Sequence, residues 1–453
     1  MVFWLTLISL LAKNYSYDLP GKITELPFFV FLIFLIWKLV TRQYNPFKKP
    51  IDSKVILFLA LITGWEVVQL LINYLRFGSS SQDTGPLSSL LIFFVLIASI
   101  GISYFVVDAT IVDKKTSQKF IVGTMVTYFV YLLLVLLPQL LASLQIGGNG
   151  YVNFIADLFE KRQLGRTWYD EGSYVATMFR INGFESEAAN NAAILGIIFI
   201  PWLLSSIKHH YNLFTSKFSS NENSSWGNLI SYILLAISVV ILLFAKTTTG
   251  IVVIGLIILI MFWFGNSLQK FYYAIVAILG LGAVAYAYFN ISVVNDLLND
   301  FLFDKNNTSN RLGGTIGLFI TWLQHPFFGT GFGYIGHYLI ENVPVETRTN
   351  WEYINDFTKN YSILSLWGGW LAQFGLLIVI PIIYKIREVF VKLKPKRETD
   401  KFMNVVYDAM IYAIIIFSVL ALFTFHWDEY YIFIPLFFFV KVAKLNSAGK
   451  IRG

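Results

Sequence analysis

Two arginines at the borders of apolar segments are the first residues with the chemistry to bind a charged substrate. Arg180 begins Arg-Ile-Asn-Gly-Phe-Glu, which opens an apolar segment, and Arg311 lies between a polar Asn-rich stretch and an amphipathic segment. A guanidinium presents parallel N–H donors that match two phosphate oxygens. If both arginines converge on one cleft, they make a diphosphate site. A solvated loop arginine, or an ion pair of Arg180 with Glu185 or Glu187, is the alternative interpretation.

A third cation, Lys246, precedes three threonines and Gly250 in a short turn between two apolar segments. An ammonium and three hydroxyls at that position can line a polar cavity and contribute to diphosphate binding. Snorkelling of Lys246 to the lipid headgroups is the alternative.

Four further residues are candidates for a general base that takes the proton of an attacking hydroxyl: His325, His337, Glu185 and Glu187. His325 begins His-Pro-Phe-Phe-Gly-Thr-Gly-Phe-Gly, and its proline predicts that the preceding helix ends at this histidine. The glycines of this segment predict close backbone approach or positive φ. An imidazole titrates near neutral pH, so it can accept a proton or bind a phosphate. A packing or helix-capping role for both histidines stays open.

The composition indicates a membrane protein. Hydrophobic residues make up 56% of the 453 residues and charged residues only 13%, which predicts an all-α polytopic membrane protein formed by residues 1–453 as one unit. The chain has no cysteine, and no motif for a metal or cofactor is evident. The net charge of +7 does not indicate nucleic-acid binding, because the basic residues concentrate in short loops.

About twenty apolar residues cross a bilayer as a helix. On this basis the sequence predicts about twelve spans, near 2–12 (short), 23–41, 54–75, 86–107, 119–143, 186–206, 228–245, 250–265, 271–289, 361–384, 404–424 and 430–443. Glu66 is the one carboxylate inside a clear span, where it is either functional or neutralised by a partner.

The distribution of lysine and arginine predicts the orientation. Most of them fall on loops of one side, which places both termini in the cytoplasm. The same alternation places 144–185 and 290–360 on the external face. The first of these loops contains an amphipathic helix from Tyr151 to Gln163, and the second is the large loop in which we expect chemistry.

The order of these motifs resembles the O-antigen ligase and polymerase superfamily, with its Wzy-type polymerases and its lipid A-core ligases. The resemblance covers roughly 170–385. The resemblance rests on five features, which are Arg-Ile-Asn-Gly-Phe-Glu at 180–185, Lys-Thr-Thr-Thr-Gly at 246–250, Arg311 in a large loop, the segment 325–333, and Leu-Ala-Gln-Phe-Gly-Leu at 371–376.

The resemblance implies a metal-independent, cofactor-free glycosyltransferase of the GT-C class in the bacterial cytoplasmic (inner) membrane. Its substrate would be an oligosaccharide on undecaprenyl diphosphate, used on the external face. The family's diphosphate-binding arginines correspond here to Arg180 and Arg311. A flippase and a chain-length regulator are the implied partners, besides the lipid bilayer.

The sequence departs from the family at one point. Many ligases have a His-Asn or His-Ser pair before the span that follows the large loop, whereas this chain has Lys359-Asn360. The departure favours a polysaccharide polymerase over a ligase that moves a finished glycan to a lipid or protein. A flippase for lipid-linked sugars is the alternative of another class. Neither an inverted repeat nor an interrupted helix is evident in the sequence, which counts against transport.

Overall fold

A computed structural model describes residues 1–14, 21–46, 53–79, 85–162, 172–214, 225–265, 267–290, 308–350, 353–354, 363–395, 400–423 and 427–451. Within these ranges the protein is 79% helical and shows no strand, so the predicted all-α membrane class is confirmed. The helices are α1 (Leu5–Leu10), α2 (Leu26–Val40), α3 (Ser53–Phe77), α4 (Pro86–Thr110), α5 (Lys114–Ser143), α6 (Asn149–Phe159), α7 (Tyr174–Met178), α8 (Ala188–His209), α9 (Ser225–Phe244), α10 (Thr248–Phe264), α11 (Ser267–Asn290), α12 (Thr308–Gln324), α13 (Ile335–Asn342), α14 (Val345–Arg348), α15 (Leu366–Leu393), α16 (Lys401–Leu420) and α17 (Tyr430–Ser447).

Seven of the described helices are long and apolar enough to cross a membrane: α3, α4, α5, α8, α15, α16 and α17. Shorter apolar helices are α2, α10 and the part Leu229–Phe244 of α9. The remaining two predicted spans are 2–12 and 271–289. The first corresponds to α1, which is about 9 Å long at 1.5 Å per residue, and the second corresponds to α11. The total of twelve spans stays a prediction.

The bundle has a buried centre and a lipid-exposed edge. In α8, 89% of the most apolar stretch of the helix is buried inside the protein, whereas only 17% of the corresponding stretch of α3 is buried. Large side chains such as Trp202 of α8, Tyr128 of α5 and Phe438 of α17 fill the core. An apolar helix stays in place with most of its surface exposed when lipid, rather than water, is the solvent.

Side-chain caps define where several helices begin. Asp113 accepts a hydrogen bond from Thr116 N at 2.8 Å, and the Thr116 hydroxyl accepts one from Asp113 N at 3.0 Å, forming a capping box before α5. The Thr247 hydroxyl accepts from Gly250 N at 3.0 Å at the start of α10. Ser365 does the same for Gly368 N at 3.3 Å before α15.

Ion pairs join the helices at one end of the bundle, which we call the Asp108 end. The Lys441 ammonium of α17 binds the Asp108 carboxylate of α4, and the Tyr44 hydroxyl donates to Asp108 Oδ2 at 2.9 Å. Asp408 of α16 lies 2.6 Å from both Lys208 Nζ and His209 Nε2 of α8. The opposite end, where α7 and α8 meet, is the Arg180 end.

The two predicted loops contain the expected helices. The amphipathic helix spans Asn149–Phe159, a little earlier in the chain than 151–163. The described part of 290–360 contains α12, α13 and α14.

Candidate functional site

Arg180 is fixed at the mouth of α8 by contacts with the turn between α9 and α10. Its Nε donates to Ala245 O at 3.4 Å, and its Nη1 donates to the Tyr174 hydroxyl at 2.9 Å. The guanidinium carbon also lies 5.8 Å from the centre of the Tyr174 ring. Ile181 N donates to Phe244 O at 3.4 Å, so backbone contacts dock the same segment on α9.

Lys246 lies in that turn, beside Arg180. Burial and the neighbouring Arg180 charge lower the pKa of the Lys246 ammonium. No carboxylate of the described residues forms an ion pair with Lys246. Two cations this close repel each other unless an anion lies between them. The pair Arg180–Lys246 therefore has the charge and the placement to hold a phosphate or diphosphate.

Gly183 holds this segment against α5. Its amide donates to Gln139 Oε1 at 2.7 Å, and Gln139 Nε2 returns a bond to Gly183 O at 2.9 Å. The φ of Gly183 is +62°, and a Cβ there would lie 1.7 Å from the Tyr131 hydroxyl oxygen. Only glycine fits this turn, which sets the distance of Arg180 from the bundle.

Glu185 belongs to a buried ionic cluster formed with Lys22, Glu25, Lys161 and Glu429. Lys22 Nζ lies 3.0 Å from Glu25 and 2.7 Å from Glu429. Lys161 Nζ lies 2.7 Å from Glu429 and 3.5 Å from Glu25. The cluster contains three buried carboxyl groups and two ammonium groups. Because one negative charge would stay uncompensated, the protonated form of one carboxyl is favoured.

The positions of the carboxyl groups in this cluster determine the direction in which each pKa is shifted. Burial raises the pKa of Glu185 to about 7, against the attraction of Lys161, and no donor among the described residues binds its carboxylate. Burial likewise raises the pKa of Glu25. Although burial opposes ionisation of Glu429, Lys161 and Lys22 hold the pKa of that carboxyl well below its usual range. Glu185 is therefore suited to exchange a proton near neutral pH.

Glu187 lies apart from that cluster at the N-cap of α8, where it is partly buried. A carboxylate at a helix N-terminus is stabilised by the helix dipole. A narrow, mostly apolar crevice opens nearby, lined by Asn190 and Ile194 of α8, Leu366 of α15 and Tyr431 of α17, among others. The crevice joins the start of α8 to the starts of two other helices.

His325 and His337 meet on a separate part of the Arg180 end, around Arg76 of α3. The rings of His325 and Tyr338 lie 5.3 Å apart, edge to face, and the Arg76 guanidinium lies 5.2 Å from the Tyr338 ring. Burial and the Arg76 charge lower the pKa of His325. His337 stacks on Phe77 at 4.7 Å. We call Arg76, Phe77, His325, His337 and Tyr338 the Arg76 platform.

The segment after His325 enters the bundle beside an interruption of α15. At Gly375 the backbone adopts φ 64° and ψ −175°, which leaves the carbonyls of Ala372 and Gln373 without intrahelical donors. Thr330 N donates to Ala372 O at 2.8 Å, and Gly331 N donates to Gln373 O at 2.9 Å. The inserted segment thus satisfies both carbonyls.

The amides beyond the interruption are satisfied in the same way. Leu376 N donates to Pro326 O at 2.9 Å, and Leu377 N donates to Phe327 O at 3.1 Å. In an unbroken helix these two amides would bind the carbonyls four residues earlier. The expectation that the chain has no interrupted helix is therefore wrong: a glycine in an apolar segment gave no signal of the break.

Two glycines make this exchange possible. A Cβ on Gly329 would lie 2.1 Å from Gln373 O, and a Cβ on Gly375 would lie 2.3 Å from Phe327 O. The positive φ values of Gly329, Gly331 and Gly333 confirm the backbone predicted for the glycine-rich segment. The end of α12 at Gln324 confirms the stop predicted from Pro326.

α3 supplies the polar groups on the other side of the inserted segment. Phe332 N donates to Glu66 Oε2 at 3.0 Å, and Asn73 Nδ2 donates to Thr330 O at 2.5 Å. The other oxygen of Glu66 is buried and has no partner in the described part of the chain. The predicted partner for Glu66 is therefore a backbone amide of the large loop.

Arg311 is exposed near the start of α12. His325 follows the end of the same helix, so roughly 20 Å of helix separates the two side chains at 1.5 Å per residue. Within the described ranges, no hydrogen bond or ring contact joins Arg311 to Arg180. The structure brings Arg180 together with Lys246, and His325 together with His337, while convergence of Arg311 on Arg180 stays a prediction.

Sequence reasoning missed the roles of Arg76 and Lys161. Arg76 ends a predicted span, and a cation at such a border was the available signal. Within the described residues no group of three or more histidines or carboxylates is arranged to hold a metal ion. A scan against protein-family models and a search of curated proteins found no match to this chain.

Proposed function

We propose that this protein is a membrane-embedded glycosyltransferase that polymerises glycans carried on undecaprenyl diphosphate, a polysaccharide polymerase with GT-C-like architecture and twelve spans. The observation that carries the proposal is the placement of two cations, Arg180 and Lys246, side by side at the mouth of α8. Glu185, whose pKa burial raises to about 7, follows Arg180 by five positions in the same segment. The pair would bind the diphosphate, and Glu185 would take the proton of the acceptor hydroxyl.

The reaction needs little more than these groups. The acceptor hydroxyl oxygen bonds to the anomeric carbon of the donor sugar, its proton passes to Glu185, and the bond from that carbon to the phosphate oxygen breaks. The lipid diphosphate leaves with the electron pair, and Arg180 and Lys246 stabilise its negative charge. A single displacement of this kind inverts the anomeric configuration. Comparing the new linkage with the donor linkage tests that outcome.

The proposal assigns the Arg180 end to the external face of a bacterial cytoplasmic membrane, with both termini inside. Basic residues on the loops of the opposite end support this orientation.

Transfer in liposomes tests the function. Purified protein supplied with lipid-linked repeat units should yield lengthened chains, and Arg180→Ala or Lys246→Ala should lower the rate about a hundredfold or more because a charge stabiliser is lost. Lys119→Ala, an exposed lysine of the Asp108 end, is the matched control and should polymerise normally. Absence of chain growth with wild-type protein would contradict the function. Transfer to a different acceptor without growth would identify a ligase instead.

One observation favours a second candidate, a transporter of lipid-linked sugars. Interrupted helices and buried carboxylates inside spans are typical of transporters. Here α15 is interrupted at Gly375, and Glu66 is a buried carboxylate inside α3. Movement of a fluorescent lipid-linked sugar across liposomes without covalent change, lost in Glu66→Gln, would support transport. Chain growth that persists in Glu66→Gln would support the polymerase.

A further inference from the structure

The Arg76 platform holds a guanidinium in a fixed position at the end of α3. The Arg76 guanidinium carbon lies 4.9 Å from the Phe77 ring centre and 5.2 Å from the Tyr338 ring centre. The Tyr338 hydroxyl donates to Asn73 Oδ1 at 2.7 Å, and Tyr338 is buried. An arginine held over two aromatic rings in this way loses little further freedom when it binds a ligand.

Two histidines share the same rings. His325 meets the edge of Tyr338, and His337 lies parallel to Phe77 at 4.7 Å with its Nε2 2.9 Å from Ser79 O. Both imidazoles are partly exposed. The platform therefore presents one permanent cation and the imidazole of His325 to a ligand at the surface, while His337 uses its Nε2 to bind Ser79 O.

The platform carries the permanent positive charge of Arg76. No ion pair to Arg76, His325 or His337 exists among the described residues, and the exposed Glu341 acts on the Tyr338 hydroxyl only through its charge. Arg76 and a protonated His325 repel each other. A bound anion would remove that repulsion.

The surroundings of Arg76 are apolar and exposed. Ile72 lies one helical turn before Arg76 on the same face and is 50% exposed, and Leu75 is 85% exposed. α3 is also the least buried of the seven long apolar helices. A ligand that brings a phosphate to Arg76 can therefore lay an apolar chain along α3, which fits a phosphate attached to a lipid rather than a free phosphate.

We propose that the Arg76 platform is a second lipid-phosphate site, which binds the lipid phosphate of the acceptor while Arg180 and Lys246 bind that of the donor. This assignment rests on the proposed polymerase function, because a polymerase uses two lipid-linked substrates at once. The two sites lie on different helices, α3 with α12 and α13 for the platform and the α8 mouth with the α9–α10 turn for the cation pair. No hydrogen bond or ring contact between the described residues of the two sites joins them.

Binding stoichiometry tests the assignment without requiring transfer. The full-length protein is placed in nanodiscs of phosphatidylcholine and titrated with a long-chain polyprenyl monophosphate, and bound lipids are counted by native mass spectrometry. We expect two bound molecules in wild-type protein and one in Arg76→Gln, with the lost site weakened roughly tenfold to a hundredfold. Arg387→Gln, an exposed arginine on α15 at the Asp108 end, is the matched control and should bind two.

Competing ligands distinguish the sources of the phosphate. Phosphatidylglycerol that displaces the Arg76-dependent molecule at equal concentration would show a general headgroup site and overturn the proposal, as would inorganic phosphate. Equal binding by wild type and Arg76→Gln would overturn it too. Arg76→Lys keeps the charge without the planar fork and should retain an intermediate affinity, which separates loss of binding from loss of folding.

Transfer kinetics separate this proposal from the polymerase function itself. Arg76→Gln should raise the KM for the acceptor about tenfold and leave the KM for the donor unchanged, whereas Arg180→Gln should act on the donor. An unchanged acceptor KM would contradict the platform while leaving the polymerase standing. A protein that binds two lipid phosphates but makes no polymer would contradict the polymerase function, while the assignment of a lipid-phosphate site to the platform would stand.

Discussion

The two ends of the bundle treat buried charge in opposite ways. At the Asp108 end, Asp108 and Asp408 each meet two donors, Lys441 with Tyr44 and Lys208 with His209. At the Arg180 end, Lys22 and Lys161 form ion pairs with Glu25 and Glu429, and Glu185 is a third buried carboxyl in their electrostatic field. Glu25 Oε2 and Glu429 Oε2 are buried with no partner in the described part of the chain.

The difference separates structural charge from exchangeable charge. A carboxylate matched by its donors stabilises a helix contact and has nothing to gain from another ligand. A surplus carboxyl in a buried cluster must hold a proton or find a cation, so its state depends on the surroundings. The Arg180 end is therefore the end at which a reaction can move a proton.

The largest expected effect is at the Asp108 end. Asp108→Asn leaves the buried Lys441 ammonium without its carboxylate and should lower the free energy of unfolding by about 3–5 kcal/mol. Denaturant unfolding in detergent measures the loss. An unfolding curve identical to that of wild type would show that Lys441 needs no carboxylate there.

A pair of glycines tests the geometry of the Arg180 end. Gly183 and Gly449 both have positive φ, but a Cβ meets the Tyr131 hydroxyl only at Gly183 and open space at Gly449. Gly183→Ala should cost about 2–4 kcal/mol, from backbone strain plus the clash, and Gly449→Ala about 1–2 kcal/mol from strain alone. Thermal unfolding of both variants measures the difference. Equal losses would mean that the turn at Gly183 can move away from α5.

The smallest expected effect is on the pH dependence of stability. The pKa of Glu185 is raised to about 7 by burial, so folding favours its protonated form. Its contribution to stability is therefore present at acid pH and is lost as pH rises from about 4.5 to 7. The melting temperature of wild type should fall by a few degrees over this range, and Glu185→Gln should flatten the profile. A profile that keeps its slope in Glu185→Gln would assign the titration to another group.

Local rules predicted local structure in this chain. The helix stop at Pro326 and the positive φ of Gly329, Gly331 and Gly333 follow from steric preferences of single residues. The length of the apolar segments was sufficient to predict the seven long apolar helices, because a bilayer requires a helix that crosses it to be long and apolar.

Contacts between distant segments could not be predicted in the same way. Arg76 lies some 250 positions before His325, and only packing of the inserted segment on α3 brings them together. Gly375 is one of many glycines in apolar sequence. The interruption of α15 at this residue depends on the close packing of the Phe327 backbone against it. The ionic cluster draws on four separate segments, so no spacing rule relates Lys22 to Glu185.

The exchanged hydrogen bonds of α15 bear on how the protein is assembled. Without the inserted segment, Leu376 and Leu377 can bind the carbonyls of Ala372 and Gln373, so α15 can enter a bilayer as an ordinary continuous helix. Docking of the segment then trades two backbone bonds for four. The same residues thus have two complete bonding schemes, one suited to insertion and one to the finished protein. Biogenesis of this helix can proceed in two stages without exposing an unpaired backbone group to lipid at either one.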